Sequence, residues 1–158
     1  MGTGDRKGDH VGEELRLSLA NDVPSLSRAS EAVRGFLNQI IGLSTKLPVI
    51  DPQRAALTIV GSRSHKTAEL EAYVAEKRKA FGDVEFISAG SSLKICLVAE
   101  GRADVYPRLG PTMEWDTAAG QAIAEYAGAS VYQYDTSKPL IYNKKDLHNP
   151  WFIVQRDA

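Results

Sequence analysis

The chain has 158 residues, 43% of them hydrophobic and 25% charged, with a formal net charge of −1. That length can bury one full core with room for an appended piece, and the composition excludes wholesale disorder. A net charge so near zero excludes a global basic field for a nucleic acid polymer or an anionic membrane, so any anion must be held by a local site. The single cysteine, Cys96, lies in the apolar run Ile95-Cys96-Leu97-Val98 and reads as a buried, inert thiol. Residues 1–10 are polar and Gly-rich, without the apolar stretch of a secretory signal. No run is long enough to cross a membrane, so a cytoplasmic location is expected.

In chain order, residues 1–12 read as a disordered lead-in. Leu15, Leu17 and Leu19 alternate with Arg16 and Ser18, which predicts a half-buried strand. A helix follows, with Leu26, Ala29, Val33, Phe36, Leu37 and Ile40 on one stripe and Ser25 or Asn21 as its cap. Residues 13–41 form this strand-helix segment, and residues 42–54, with Pro48 and Pro52, read as a linker.

From residue 55 strands and helices alternate. Strands are predicted over residues 56–60, 84–87, 103–106, 130–134 and 151–155. Between them, one helix carries Leu70, Tyr73, Val74 and Lys77 on one face behind the cap Thr67, and a second runs from Leu93 to Glu100, stopped by Gly101. The third spans residues 115–127 before Gly128, with Trp115, Ala118, Ala119, Ala122, Ile123 and Tyr126 at i, i+3, i+4, i+7, i+8 and i+11. The pattern predicts an α/β domain, whose ligand edge lies at the C-terminal ends of the strands.

Three loops meet at that edge, residues 62–65, 90–94 and 108–116. They offer Ser62, Arg63 and His65, then Gly90, two serines and Lys94, then Arg108, Thr112 and Asp116. Each has an ordinary reading when taken alone. Ser62 to His65 is a capped turn with a surface histidine; the Gly-Ser-Ser turn lacks the closing Gly-Lys-Ser/Thr of a P-loop; Arg108 is a solvent-facing strand end; and Asp116 complements a helix dipole. Their complementary chemistry at one edge points to an anionic ligand. Lys77-Arg78-Lys79 reads as a solvated face, and His148 has no partner at metal-ligand spacing.

With these residues in view, residues 55–156 resemble the C-terminal lobe of the CysQ-type 3'(2'),5'-bisphosphate nucleotidases of the inositol monophosphatase-like family. The resemblance rests on Gly61-Ser62-Arg63-Ser64-His65, Ala89-Gly90-Ser91-Ser92-Leu93-Lys94, Val98 through Arg108, Gly110 through Gly120, Tyr142-Asn143-Lys144 and Asn149-Pro150-Trp151-Phe152. It implies a mixed sheet flanked by helices, with the strand-helix segment appended at the N-terminus. It also implies magnesium-dependent hydrolysis of the 3'-phosphate of adenosine 3',5'-bisphosphate. By the same resemblance Asp116 is a metal ligand, Ser62, His65, Gly90 and Lys94 line the nucleotide site, and Arg108 is a further phosphate contact.

The family's N-terminal lobe supplies a Glu-Glu pair and an Asp-Pro-Ile/Leu-Asp-Gly-Thr motif, which provide most metal ligands. Here Val49-Ile50-Asp51-Pro52 begins like the second motif, but Gln53-Arg54 follows, and Gly12-Glu13-Glu14 lacks a partner. A lone Asp116 does not assemble a magnesium site, because hard cations need several oxygens. The expectation is a chain that is inactive or nearly so by itself. Residues 14–41, by contrast, resemble the opening strand and helix of anti-sigma-factor-type histidine-kinase-like ATPases, which leaves a fusion of two pieces open. Three functions therefore remain in play: a magnesium phosphatase; a non-catalytic fragment that binds an adenine nucleotide or pairs with a second chain through an exposed apolar face; and an interaction module built on residues 14–41.

Overall fold

The computed structural model describes residues 31–62 and 67–156, with side chains from residue 34 on. The strand predicted over residues 14–19 and the start of the first helix lie outside the described residues, as does His65. The chain divides into two compact units, Met1–Thr45 and Lys46–Ala158. In the first, helix α1 spans Glu31–Leu43, and the Ser44 hydroxyl donates to Ile40 O at 2.7 Å just past its end. Phe36 and Ile40 of the expected stripe are exposed, as is Leu43.

The second unit is built on a mixed sheet. Its strands are β1 (Leu57–Gly61), β2 (Val84–Ser88), β3 (Val105–Arg108), β4 (Ala129–Gln133) and β5 (Phe152–Arg156), in the order β2-β1-β3-β5-β4. β1 runs parallel to β2 and β3, and β5 lies antiparallel between β3 and β4. Helices α2 (Ala68–Phe81), α3 (Leu93–Glu100) and α4 (Glu114–Tyr126) connect them. This is the mixed sheet flanked by helices that the sequence implied.

Period-two alternation along the strands makes the two cores. Val60, Tyr106, Phe152 and Val154 pack with Ile95, Val98 and Ala99 of α3 and Ala124 of α4. Their neighbours Ile59, Val105 and Ile153 point the other way, to Leu70, Tyr73 and Val74 of α2. The expected face of α2 is therefore correct, and so is its cap: Leu70 N–H donates to Thr67 Oγ1 at 3.3 Å. β3 begins two residues later than the alternation predicted. Its residues beyond Val105 pair with β5 alone, which lets the strand include Pro107.

The apolar stripe of α4 does not face the core. Trp115, Ile123 and Tyr126 are exposed, and Ala118, Ala119 and Ala122 lie on the same outward face. The buried face carries Glu114, Thr117, Gly120, Gln121 and Ala124. Close approach favours the choice: a Cβ at Gly120 would stand 2.9 Å from Ile95 Cδ1 and 3.3 Å from its Cγ2, so glycine lets α4 settle on α3 without displacing that side chain. The polar members of that face all find partners, described below. Leu93 of α3 is exposed as well. Cys96 is half-buried rather than buried, on the flank of α3.

Part of the stretch expected as a linker is anchored. Val49 N–H donates to Glu100 O at 2.9 Å, and the Arg54 guanidinium donates to Gly101 O at 2.9 Å and pairs with Asp104. Asp104 in turn accepts from Thr58 N–H at 2.8 Å. Asp51 lies at this edge too, beside Arg54, Leu57 and Asp104, where the parallel strands begin. No helix among the described residues is long and apolar enough to cross a membrane.

Candidate functional site

At the opposite edge, where β1, β2 and β3 end, a cavity of about 510 Å³ opens. Ser62 leaves β1 into it, Gly90, Ser91 and Ser92 leave β2, and Arg108 ends β3. Trp115, Asp116 and Thr117 enter from the first turn of α4, while Ile95, Tyr106 and Phe152 form an apolar floor. Lys94 completes the wall. The structure thus brings Ser62, Gly90, Lys94, Arg108 and Asp116 to one cavity at the edge where ligands of parallel α/β sheets bind.

The cations here are held in distinct ways. Lys94 is buried, with its ammonium donating to Ser91 O at 2.9 Å and Ala89 O at 3.3 Å. It also lies 5.4 Å from the centre of the Tyr106 ring. Burial, and secondarily the charge of Arg108, lowers its pKa from the usual 10.5. Arg108 donates through Nη2 to Pro111 O at 2.7 Å and its guanidinium faces the Tyr106 phenol, while its buried Nε meets no acceptor at hydrogen-bond geometry among the described residues. An unpaired guanidinium N–H beside a cavity is a donor waiting for an acceptor. The Tyr106 phenol is pushed up to about 12 by burial, with Arg108 opposing, so it is a neutral hydroxyl at any physiological pH.

Asp116 has a structural task as well as a place on the wall. Its Oδ2 accepts from Met113 N–H at 2.9 Å, the reach-back bond of a helix-capping carboxylate. It is the sole carboxylate among the described residues that line the cavity, and no group of three metal-ligating side chains occurs among the described residues. Asp51, the start of the motif that implied further metal ligands, sits at the other edge of the sheet. The described residues therefore do not fit a magnesium site, which needs several oxygen ligands around one point.

The turn that carries Asp116 is gripped from below by a distant segment. Asn149 Nδ2 donates to Met113 O, Thr117 Oγ1 and Thr112 Oγ1 at 2.9, 3.0 and 3.2 Å. Tyr142 OH donates to Gln121 Oε1 at 2.6 Å. The Glu114 carboxylate accepts from Asn143 N–H at 2.7 Å and Lys144 N–H at 3.2 Å, and pairs with the Lys144 ammonium. These bonds satisfy the polar face that α4 turns inward. They also account for the Tyr142-Asn143-Lys144 and Asn149-Pro150 motifs, whose role spacing alone did not reveal. The cavity floor of Tyr106 and Phe152 and the rim residue Trp115 were likewise missed as site residues. Strand alternation marks the first two as inward-facing, but nothing in the sequence says that they meet a ligand.

Glu114 makes the fold acid-sensitive in a stated direction. Its bond from Lys144, with the two backbone N–H donors adding and burial opposing, lowers its pKa from the ordinary 4.5. The resulting stability is complete above the unfolded value and is lost as pH falls through the folded value. Thermal midpoints measured from pH 7 to pH 3 should fall less steeply in Glu114→Gln than in the native chain. Parallel profiles would assign the acid loss elsewhere.

A model of the inositol monophosphatase family matches residues 23–154. The chain belongs to that family. The match begins at residue 23, upstream of residue 55 and inside the segment expected to have another origin. Among curated inositol monophosphatase relatives, the 3'(2'),5'-bisphosphate nucleotidase CysQ of Escherichia coli K12 is 50% identical over 97 residues, covering 61% of this chain and 37% of that protein. CysQ of Shigella flexneri is 47% identical over 110 residues, covering 69% and 42%. The crystal structure of CysQ from Bacteroides thetaiotaomicron superposes with a TM-score of 0.72 at 58% identity, over 77% of this chain and 45% of that one. A 2'AMP-bound staphylococcal IMPase-II, 18% identical with a TM-score of 0.52 over 73% of this chain and 42% of that one, shares the fold. The chain spans less than half the length of each of these relatives.

Proposed function

We propose that the cavity binds a phosphate ester, with adenosine 3',5'-bisphosphate as the leading candidate, and that the described residues bind it without hydrolysing it. The unpaired Arg108 Nε carries this reading. A buried guanidinium N–H without an acceptor is costly, and a phosphate oxygen in the cavity would satisfy it with a charge-assisted bond. Similarity to the CysQ nucleotidases supports the choice of ester. A 3'-phosphatase of this family uses magnesium, and here Asp116 alone offers a carboxylate, already engaged by Met113 N–H. Hydrolysis thus requires metal ligands beyond those described, whereas binding does not. A cytoplasmic location suits a water-soluble nucleotide ligand.

Calorimetric titration of adenosine 3',5'-bisphosphate into the full chain, without magnesium, tests the proposal. Saturable binding is expected, weakened roughly tenfold or more in Arg108→Met by loss of charged hydrogen bonds. No binding by the native chain at millimolar ligand would sink the reading.

A further inference from the structure

A further cavity, of about 300 Å³, opens at the other edge of the sheet, where the parallel strands begin. Its lining divides by chemistry. Ile50, Leu57 and the Phe81 ring at the end of α2 form apolar walls. Arg54, Arg156, Asp104 and Asp51 supply charge. Ile50 is 55% and Phe81 62% exposed, so the apolar walls are open to a ligand entering from solvent. No residue lines both this cavity and the one at the C-terminal ends of the strands.

Two guanidiniums converge on one carboxylate there. Arg54 pairs with Asp104 Oδ1 and donates to Gly101 O at 2.9 Å. Arg156, whose side chain is only 11% exposed, reaches the same two acceptors from a single nitrogen, at 3.7 Å and 3.4 Å. The first of those distances is too long for a hydrogen bond. The other oxygen, Asp104 Oδ2, is taken by Thr58 N–H. A guanidinium carries five N–H donors, so most donors of this pair meet no acceptor among the described residues. Asp51 does not make up the shortfall, because its Oδ1 accepts from Gln53 N–H at 2.9 Å in an exposed turn. Two cations against one half-buried carboxylate leave a positive charge uncancelled at the floor, while Asp51 at the rim is solvated and screened.

We propose that this cavity is a second binding site, for a small organic monocarboxylate with a short apolar tail. The carboxylate lies against Arg54 and Arg156, whose planar forks match it two bonds at a time. The tail lies along Leu57, between Ile50 and Phe81. Charge selects this ligand: a single negative charge completes the balance that Asp104 leaves unfinished, whereas a phosphate dianion overshoots it and meets Asp51 at the rim. Size selects it too, since a cavity at the lower end of the range for small-molecule sites suits a compact acid of about six carbons better than a nucleotide.

NMR titration of the full chain with sodium hexanoate, sodium acetate and inorganic phosphate in turn tests the site. The signals followed are the Nε–H groups of Arg54, Arg156 and Arg108 and the amides of residues 50–57. Hexanoate should shift the Arg54 and Arg156 signals saturably in the millimolar range. Acetate should bind there roughly tenfold more weakly or worse, because it lacks the methylenes that the apolar walls cover. Arg156→Lys keeps the charge but loses the fork and should weaken hexanoate about tenfold. Phe81→Ala alters an exposed ring and should weaken hexanoate while leaving acetate unchanged. Should Arg156→Lys fail to fold, the native titrations and Phe81→Ala still decide. Equal binding of acetate and hexanoate, or phosphate binding at Arg54 and Arg156 as tightly as hexanoate, would overturn the proposal. Phosphate shifts at Arg108, with no hexanoate response at Arg54 and Arg156, would leave the phosphate-ester reading intact and remove this second site.

Discussion

Replacing Gly101 by alanine is expected to lower the thermal midpoint by roughly 6–12 °C, the equivalent of about 3 kcal/mol in a chain of this size. Gly101 ends α3 at φ +85, with its N–H donating to Val98 O. A Cβ there costs about 1–2 kcal/mol on conformation alone. It would also stand 2.8 Å from Val49 O and 3.1 Å from Pro48 Cβ. The first of these is backbone, held in place by the bond from Val49 N–H to Glu100 O, so it cannot rotate away as a side-chain tip would. Overpacking of this kind adds a further 1–3 kcal/mol. The Gly101 carbonyl accepts from both Arg54 and Arg156, so a shifted backbone also disturbs the cluster around Asp104. Calorimetric melting of the two chains measures the effect. A difference under about 2 °C would mean that residues 46–50 do not hold their place against the helix end.

Much of this architecture is legible in the sequence because it follows local rules. Thr67, Gly101 and Gly128 punctuate helices where their chemistry requires, and alternation along the strands assigns inward faces. The parallel grammar then predicts which loops gather at one edge, and that is how Ser62, Gly90, Lys94, Arg108 and Asp116 were found together. The failure at α4 is equally physical. Periodicity assumes that the apolar stripe of a helix faces the core, but α4 turns that stripe outward and buries Glu114, Thr117 and Gln121. Those residues are acceptable inside only because Lys144, Tyr142 and Asn149, about thirty residues away, satisfy them. No local pattern encodes such a partnership. The bonds of Lys94 to Ala89 O and Ser91 O are equally silent in the sequence, since they depend on how the loop folds back over the ammonium.

Magnesium should matter little to the binding of phosphate esters by this chain. In the presence and absence of millimolar magnesium, the affinity for adenosine 3',5'-bisphosphate is expected to differ by less than about threefold, under 1 kcal/mol. Phosphate release should stay at background in both the native chain and Asp116→Asn. The reasoning begins from coordination number: magnesium demands an octahedron of oxygens, and a single carboxylate leaves most of the shell to water. The Asp116 Oδ2 is further committed to Met113 N–H. Two substitutions separate its possible duties. Asparagine keeps an oxygen acceptor for that N–H but removes the negative charge, so it should leave the fold intact. Alanine removes the acceptor too and should cost about 1 kcal/mol as a lost helix cap. If magnesium strengthens binding more than tenfold and both variants abolish that gain, the missing oxygens come from residues beyond those described, and Asp116 is a ligand first and a cap second. If only alanine has an effect, and on stability alone, then the Asp116 carboxylate serves here to start a helix, and the anion is left to the other residues that line the cavity.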